Sequence, residues 1–450
     1  MIHITGKKNS PVSKVPKNKT NMKNLIKSAT FLIVMMAALT ACQDRTTELI
    51  TYEANVPVYM PFNEFRASFE KSAPIEISHP GKMYFKDGYL FVNEYGKGIH
   101  VIDNRNPANP QKVAFYEILG NVDMAIKGNV LFADSYIDLL AIDITDINNP
   151  VEIDRIKNVF PEIVPEGELW YPYAMVDKSK GVIVGWEVKK ITEEVEKYYQ
   201  GGMLFRGNME FVMNADAAKA TNGGWTGGGG TGGSMARFML NDNYLYVIAV
   251  PVRLKTVDIT TASDMAVVDS IDVPRNMETL FRLQNNLFIG TTTGMLIFDL
   301  VNPKKPVQIS SYDHITACDP VVVDGQYAYV TLRSGNMCNN MQNLLEVIDI
   351  SSIRNPYLVK SYPMFNPHGL GTDGNLLFVC DGSAGLKIYN KSNPLAIITS
   401  QVAHYPDFDT YDVIPMDGIL MLVGNGGIYQ YDYNDPENII QISHITIKEE

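Results

Sequence analysis

The stretch GMLIFDLVNPKKPVQI, residues 294–309, contains the pattern that decides the fold of this 450-residue chain. An apolar run ends at Asp299, and Pro303 follows four residues later. A similar arrangement recurs along the chain, with the equivalent residue at Asp103, Asp143, Asp258, Asp299, Asp349, Asn390 and Asp432. These residues are separated by 40, 115, 41, 50, 41 and 42 positions. A repeat of about 40 residues made of strands and turns is typical of a β-propeller blade.

Each unit reads as four short antiparallel strands. Upstream of the repeated Asp lies a second apolar run, and turn signals such as Asp87-Gly88, Asp324-Gly325 and Asp373-Gly374 precede this run. These dipeptides favour tight hairpins between strands rich in Tyr, Phe, Val and Leu. The Asp at the end of the third strand can accept hydrogen bonds from amides of the following turn. The sequence therefore predicts an all-β, closed propeller.

The number of blades depends on one irregular stretch. Seven regular units start near Gly81, Asp123, Ala236, Glu278, Asp319, His368 and Asp412. Residues 173–187 contain an opening strand, a Lys-Gly turn and a second strand, which predicts an eighth, degenerate blade within residues 75–450. Residues 187–234 would then be a Gly-rich insertion. Seven blades is the alternative, if residues 173–187 lie outside the ring.

The phrases GIHVID, GMLIFD, LLEVID and GLKIY, with Asn-Pro after them, resemble the LVIVD repeats of bacterial surface and secreted proteins. The resemblance covers about residues 81–447 and departs from the pattern at 173–234. It implies a propeller, and a binding or scaffolding role without a common catalytic chemistry.

The N-terminus predicts a lipid anchor. Lys23 and Lys27 precede an apolar stretch and then Leu39-Thr40-Ala41-Cys42, the order of a secretory signal with a bacterial lipobox. Residues 1–41 are therefore assigned to the signal peptide, with Met22 as an alternative start that would make 1–21 a misassigned extension. Cys42 would carry the acyl chains, and residues 42–74 would form a tether and a short amphipathic segment. We expect an outer-membrane lipoprotein, either periplasmic or surface-exposed.

The charge excludes one class of partner. A chain that begins at Cys42 carries 31 basic and 50 acidic residues, because seven lysines and no acids precede it. Such a chain repels nucleic acid and anionic headgroups. The expected partners are the membrane, through the acyl chains, and an envelope protein, peptide or glycan; the propeller itself is expected to be a monomer.

Three cysteines remain in an oxidising compartment. Cys318 comes just before the strand that begins at Asp319, and Cys338 lies in the enlarged loop of the 50-residue unit. A disulfide between them would stabilise the fold by roughly 3 kcal/mol. Two free thiols are the alternative. Cys380 follows Phe378-Val379 in a strand and reads as a buried small apolar residue.

One candidate site emerges from aligning the units. Corresponding positions, at the start of each first strand, are occupied by Asp123, Tyr173, Glu278, Asp319, His368 and Asp412. The first strand of a blade is the innermost, so these side chains should converge at one mouth of the central channel as a ligand site. The acids Asp123, Glu278, Asp319 and Asp412 would repel one another unless a cation or a cationic ligand lay among them, and calcium is the candidate metal. The alternative is that each acid binds amides of its own loop.

Two functions fit these features. The first is a membrane-anchored, non-enzymatic binding or scaffolding propeller. The second is a metal-dependent propeller hydrolase, lactonase-like in its chemistry. No HExxH, Gly-x-Ser-x-Gly, phosphate loop or CxxC pattern is present to assign catalytic residues. A further aromatic group, Trp170, Tyr171, Tyr173, Trp186 and Trp225, could pack as core or stack on a sugar or peptide.

Overall fold

A computed structural model describes residues 47–160, 164–196, 236–313, 320–333, 342–407 and 409–448. Its first elements are β1 (Thr47–Met60), the short helix α1 (Phe62–Phe65) and β2 (Glu70–Ser72). Within the described residues, no helix is both long enough and apolar enough to cross a bilayer. The predictions made for Cys42, Asp319, Trp225 and the pair Cys318 and Cys338 lie outside these ranges.

Seven four-stranded antiparallel sheets follow one another along the chain. The first three blades contain β3 (Pro80–Lys86), β4 (Tyr89–Glu94), β5 (Gly98–Asp103) and β6 (Gln111–Glu117); β7 (Met124–Lys127), β8 (Val130–Ser135), β9 (Asp138–Asp143) and β10 (Val151–Ile156); and, after β11 (Val182–Glu196), β12 (Phe238–Asn241), β13 (Tyr244–Val250), β14 (Arg253–Asp258) and β15 (Ala266–Asp272).

The remaining four blades have the same order of strands. They contain β16 (Met277–Leu283), β17 (Asn286–Thr291), β18 (Gly294–Asp299) and β19 (Val307–Asp313); β20 (Val321–Asp324), β21 (Tyr327–Leu332), β22 (Leu344–Asp349) and β23 (Tyr357–Pro363); β24 (Leu370–Asp373), β25 (Leu376–Cys380), β26 (Leu386–Asn390) and β27 (Gln401–Tyr405); and β28 (Thr410–Met416), β29 (Ile419–Gly424), β30 (Gly427–Asp432) and β31 (Ile440–Thr446).

The first strand of each blade faces the centre of the ring. Contacts between blades run in order from β3 to β7, β12, β16, β20, β24 and β28. The last blade packs back on the first through an apolar cluster that joins Met83 and Val92 to Ile414 and Val423. The ring is therefore closed, and the predicted propeller of four-stranded antiparallel blades is confirmed.

The expected eighth blade is absent from the described chain, and the alternative of seven is supported. Strand β7 of the second blade contacts β12 of the third directly, so no blade lies between them. The second strand of the supposed degenerate blade is instead the start of β11, which pairs with β1 in a separate two-stranded sheet. The reason is strand pairing: residues 173–187 carry no third and fourth strands, and the partner of β11 comes from the N-terminal segment.

The chain divides into two compact units. The first comprises Met1–Tyr52 and Thr192–Gly207, and its described part is the paired ends of β1 and β11. There the hydroxyls of Thr51 and Thr192 lie 2.8 Å apart, and the Tyr52 hydroxyl donates to the Glu193 carboxylate at 2.6 Å. The second unit comprises Glu53–Ile191 and Asn208–Glu450 and contains all seven blades.

The segment before the ring is attached to the first two blades. Strand β2 adds to β6 as a fifth strand at the outer edge of the first blade, with Lys71 opposite Tyr116. Arg66, next to α1, donates to the buried Asp138 of the second blade at 2.9 Å. Phe65 of α1 is fully buried against Tyr136 and Val182. Residues 61–72 therefore belong structurally to the propeller.

The hairpin turns follow the predicted chemistry. Asp87 and Gly88 both have positive φ, 49° and 80°, as a type I′ turn requires. Gly325 and Gly374 lie at 58° and 51°. Asp tolerates the left-handed region better than most residues, and Gly adopts it without a steric penalty.

The residue that ends each third strand closes the turn after it. In all seven blades its side-chain oxygen accepts the backbone N–H two residues later, at 2.8–3.2 Å, and the residues are Asp103, Asp143, Asp258, Asp299, Asp349, Asn390 and Asp432. This confirms the predicted role of the repeated Asp. The motif that identifies the fold is thus a structural corner.

Each corner also receives a side chain from the preceding blade. The seven contacts in order around the ring are Tyr116 to the Ile147 carbonyl, Asp154 to the Met265 amide, Tyr246 to the Pro303 carbonyl, Ser310 to the Ile353 carbonyl, Tyr362 to the Pro394 carbonyl, Tyr405 to the Pro436 carbonyl and Gln430 to the Pro107 carbonyl. The repeat therefore sets both the shape of a blade and its attachment to the next.

Candidate functional site

The nominated residues lie at the end of the propeller where the innermost strands begin, which we call the rim. Asp123 immediately precedes β7, Glu278 is the second residue of β16, His368 lies two positions before β24, and Asp412 is the third residue of β28. Tyr173 does not belong to a blade: it bridges to Asn55 of β1. Four of the six nominated residues therefore share the rim, and Asp319 lies outside the described chain.

Asp123 is paired with a lysine from the neighbouring blade. Its Oδ2 lies 2.5 Å from Nζ of Lys82 in β3, and both side chains are almost completely buried. The same oxygen accepts the backbone N–H groups of Arg237 and Phe238, at 2.6 and 3.1 Å, while Oδ1 accepts that of Met124 at 2.7 Å. This carboxylate thus connects the first, second and third blades, and we call Lys82, Asp123 and Arg237 the first arc of the rim.

Burial works against both charges of this pair. It lowers the pKa of Lys82 and raises the pKa of Asp123, and the contact between the two groups opposes each shift. An ionised pair at this depth persists only when further hydrogen bonds satisfy it, as the three backbone amides do here. Asp123 therefore already has a cation, supplied by the protein.

A second buried acid lies behind the first. Oδ1 of Asp134 accepts the backbone amides of Val122 and Asp123, at 2.7 and 2.9 Å, and the side-chain amide of Asn121 at 2.8 Å. Burial raises the pKa of Asp134 to about 6. Its contacts hold the loop that presents Asp123.

The opposite side of the rim contains a different set of groups. Nη1 of Arg333, which follows β21, lies 3.1 and 3.3 Å from the two ring nitrogens of His368 in the next blade. The His368 ring meets the edge of the Tyr411 ring, with centroids 5.3 Å apart. Glu278 acts on Arg333 electrostatically from the blade before. We call Glu278, Arg333, His368 and Tyr411 the second arc, which spans the fourth to the seventh blades.

His368 is neutral in this setting. Burial, and then the charge of Arg333, lower its pKa to about 3. Its position is fixed by the hydroxyl of Thr331, which donates to the His368 carbonyl at 2.6 Å, and by its own N–H, which donates to the Cys380 carbonyl at 2.7 Å. The side-chain amide of Asn366 lies 3.2 Å from Nε2. The imidazole is therefore a rigid support for Arg333.

One further carboxylate, that of Asp381, makes structural contacts. The buried Asp381 accepts the backbone amides of Phe365 and Asn366 and lies 2.5 Å from Nζ of Lys387. Asp412 is buried against Gly369, where a Cβ atom would come within 2.2 Å of its Oδ1. Cys380 is fully buried, as predicted, and burial raises the pKa of its thiol.

The structure does not bring the described acids of the rim together as a cation site. In the described ranges, no three His, Cys, Asp or Glu side chains are placed so that they could hold a metal ion. What the sequence analysis missed was the cations Lys82, Arg237 and Arg333. Lys82 and Arg237 could have been found by aligning the units, because they lie one residue after Gly81 and Ala236, the positions aligned with Asp123.

The aromatic group near the irregular stretch is only partly packed. The rings of Tyr173 and Trp186 meet edge to face at 4.7 Å, and Trp186 Nε1 donates to the Pro165 carbonyl at 2.7 Å. Trp170 is 89% exposed. These residues do not form a stacking platform with one another in the described part of the chain.

No protein-family model matches the sequence, and no curated protein matches it either. Solved structures similar in fold include the Pseudomonas aeruginosa periplasmic gluconolactonase PpgL, with a TM-score of 0.50 and 8% identity over 82% of this chain and 95% of that one. BamB from Moraxella catarrhalis has a TM-score of 0.46 and 9% identity over 85% and 97%. Kluyveromyces lactis Hsv2 has 0.46 and 11% over 82% and 99%. At these identities the likeness shows the propeller fold alone.

Proposed function

We propose that the protein is a bacterial lipoprotein anchored at the cell envelope through Cys42, and that its propeller is a non-enzymatic binding or scaffolding module. The order of charge, apolar residues and small residues before Cys42 supports the anchor. The closed seven-bladed ring supports the scaffold, because each blade is joined to the next through a repeated structural corner.

The observation that carries the binding role is the fixed pairing of polar groups at the rim. Both carboxylate oxygens of Asp123 are occupied by Lys82 and backbone amides. His368, with a pKa near 3, stays neutral at physiological pH. A general acid or base works best when its pKa lies near the operating pH. These groups are therefore poorly suited to proton transfer, which favours a binding role over a catalytic one.

The charge of the mature chain limits the classes of partner that the propeller can bind. An excess of acidic over basic residues disfavours nucleic acid and anionic headgroups, so the partner is an envelope protein, peptide or glycan. The acyl chains would supply attachment to the membrane, which leaves the propeller free to bind.

The anchor is tested by changing Cys42→Ala, with Asp44→Asn as a matched control next to the same cleavage point. The expected result is that the alanine variant is released from membranes or is not processed, while the control fractionates as the wild type does. Membrane association and mature mass unchanged by Cys42→Ala would refute the lipoprotein assignment.

The binding role is tested by crosslinking in intact cells, followed by purification of the propeller from solubilised envelopes. A partner that is recovered in larger amount with the wild-type propeller than with a variant substituted at the rim supports the proposal. Turnover of a lactone or ester by the purified protein, dependent on a divalent ion, would instead establish the hydrolase.

A further inference from the structure

We infer that the second arc of the rim is a binding site for a carboxylate, with Arg333 as the group that holds it and Asn366 as an additional donor. The inference rests on the proposed binding function, since it names the ligand class of the same rim. It differs from the expectation of a cation at this mouth, because the deciding side chain is an arginine.

The first step is that Arg333 has no carboxylate at close range among the residues that the structure describes. Two largely buried lysines have one: Lys82 lies 2.5 Å from Asp123, and Lys387 lies 2.5 Å from Asp381. No carboxylate of the described residues lies within ion-pair distance of Arg333, and Glu278 acts on it only through longer-range attraction. A desolvated cation without a close anion is costly.

The second step is that most donors of Arg333 remain available. A guanidinium carries five N–H donors, and a neutral imidazole offers a single acceptor nitrogen. The contacts of Arg333 with described residues are those of Nη1 with the His368 ring. Nε and Nη2 therefore have no acceptor among the described residues, and these atoms form one edge of the planar guanidinium fork.

The third step is that the site is rigid. The His368 ring contacts the side-chain amide of Asn366 and the ring of Tyr411. The backbone of His368 is held at its carbonyl by the Thr331 hydroxyl and at its N–H by the Cys380 carbonyl. Preorganised donors lose little entropy when a ligand binds. The backbone N–H of Asn366 is bound to the Asp381 carboxylate, which fixes the residue that carries the second donor.

The chemistry of the ligand follows from these groups. A guanidinium edge matches a carboxylate, which accepts two parallel N–H bonds. The negative charges of Glu278 and Asp412 and the acidic balance of the whole chain disfavour a multiply charged anion such as phosphate. A single carboxylate is favoured, and it can come from an Asp, Glu or C-terminus of a partner peptide or from a small free acid.

The test is calorimetric titration of the detergent-solubilised full chain at constant ionic strength. The probes are acetate, the capped tripeptide Ac-Ala-Glu-Ala-NH₂ and its neutral counterpart Ac-Ala-Gln-Ala-NH₂. The variants are Arg333→Gln, Arg333→Lys and the control Arg105→Gln. Arg105 lies in the exposed turn after β5 and pairs with Asp103, so its side chain can change without disturbing either arc of the rim.

Binding of the Glu peptide but not the Gln peptide is expected in the wild type and in Arg105→Gln. Arg333→Gln should weaken it by about tenfold or more, and Arg333→Lys by less, because lysine keeps the charge and loses the fork. Acetate binding as tightly as the peptide would identify a small free acid as the source, and tighter peptide binding would identify a protein partner.

Absence of binding by both carboxylates, or equal binding by wild type and Arg333→Gln, overturns the carboxylate site. An envelope partner that crosslinks equally to wild type and Arg333→Gln would also overturn it, while leaving the proposed binding function intact. The absence of any crosslinked partner of the wild-type protein would count against the proposed function itself.

Discussion

The pair Lys82 and Asp123 leads to a prediction about stability that depends on which partner is removed. We consider Asp123→Asn, Lys82→Met and the double variant. In the native protein Asp123 Oδ2 faces the Lys82 ammonium and the amides of Arg237 and Phe238, and Oδ1 faces the amide of Met124. The two single changes therefore leave very different groups behind.

Asp123→Asn leaves a buried ammonium without a counter-charge, which typically costs about 3–5 kcal/mol. The side chain introduced at position 123 has a single amide oxygen. This oxygen can accept the Met124 amide or the amides of Arg237 and Phe238, but not both sets. Lys82→Met leaves a carboxylate that still accepts three backbone N–H bonds, so a cost of about 2 kcal/mol is expected. The aspartate variant should be the less stable of the two.

In the double variant both charges are gone. Its loss of stability should therefore be smaller than the sum of the two single losses by about 1–3 kcal/mol, the size of coupling found between contacting residues. The stabilities are compared by urea unfolding followed by circular dichroism, as shifts of the midpoint at constant slope. Lys86→Met is the control: its partner Asp87 lies at an exposed turn, and the midpoint should change little.

Two outcomes would refute this reasoning. One is a Lys82→Met variant that is as unstable as Asp123→Asn or less stable. The other is a double variant whose loss equals the sum of the single losses, because additivity would mean that the two groups do not interact.

Three further predictions follow from other parts of the propeller. Burial raises the pKa of Asp134 to about 6 in the folded protein. The protonated carboxyl therefore adds about 3 kcal/mol to the unfolding free energy below about pH 4, and this contribution is lost as the pH rises through 6. The stability of Asp134→Asn relative to wild type should thus increase between pH 4 and pH 6, and parallel pH profiles from urea unfolding would contradict it. Tyr362→Phe removes the hydroxyl that bonds the next blade at Pro394, at 2.5 Å, and should lower the unfolding free energy by about 1–2 kcal/mol; no loss in thermal or urea unfolding would show that this corner contact is dispensable. Non-reducing peptide mapping should find Cys318 linked to Cys338, with Cys380 alkylated only after unfolding, and two free thiols in envelope-derived protein would disprove the disulfide.

Much of the fold can be read from the sequence because it depends on local physics. The Asp at the end of each third strand bonds an amide two residues away, so the corner at Asp299 or Asp349 is complete within its own turn. The Asp87-Gly88 hairpin is likewise set by the φ values that these two residues tolerate. Seven repetitions of such local signals are enough to predict the strands, the blades and their order.

What the tertiary structure decided was which segments meet. The number of blades depended on the pairing of β11 with β1. These two strands are more than 100 residues apart, and the repeat pattern does not predict that they pair. The charge of the rim depended on Lys82 and Arg333 reaching Asp123 and His368 from neighbouring blades. The repeat aligns equivalent positions and places them on one rim, but a side chain's partner there comes from the next blade and from a different position in the repeat. For that reason the sequence placed Asp123 and His368 on one rim, and only the closed ring showed that Asp123 is paired with Lys82 and that Arg333 contacts His368.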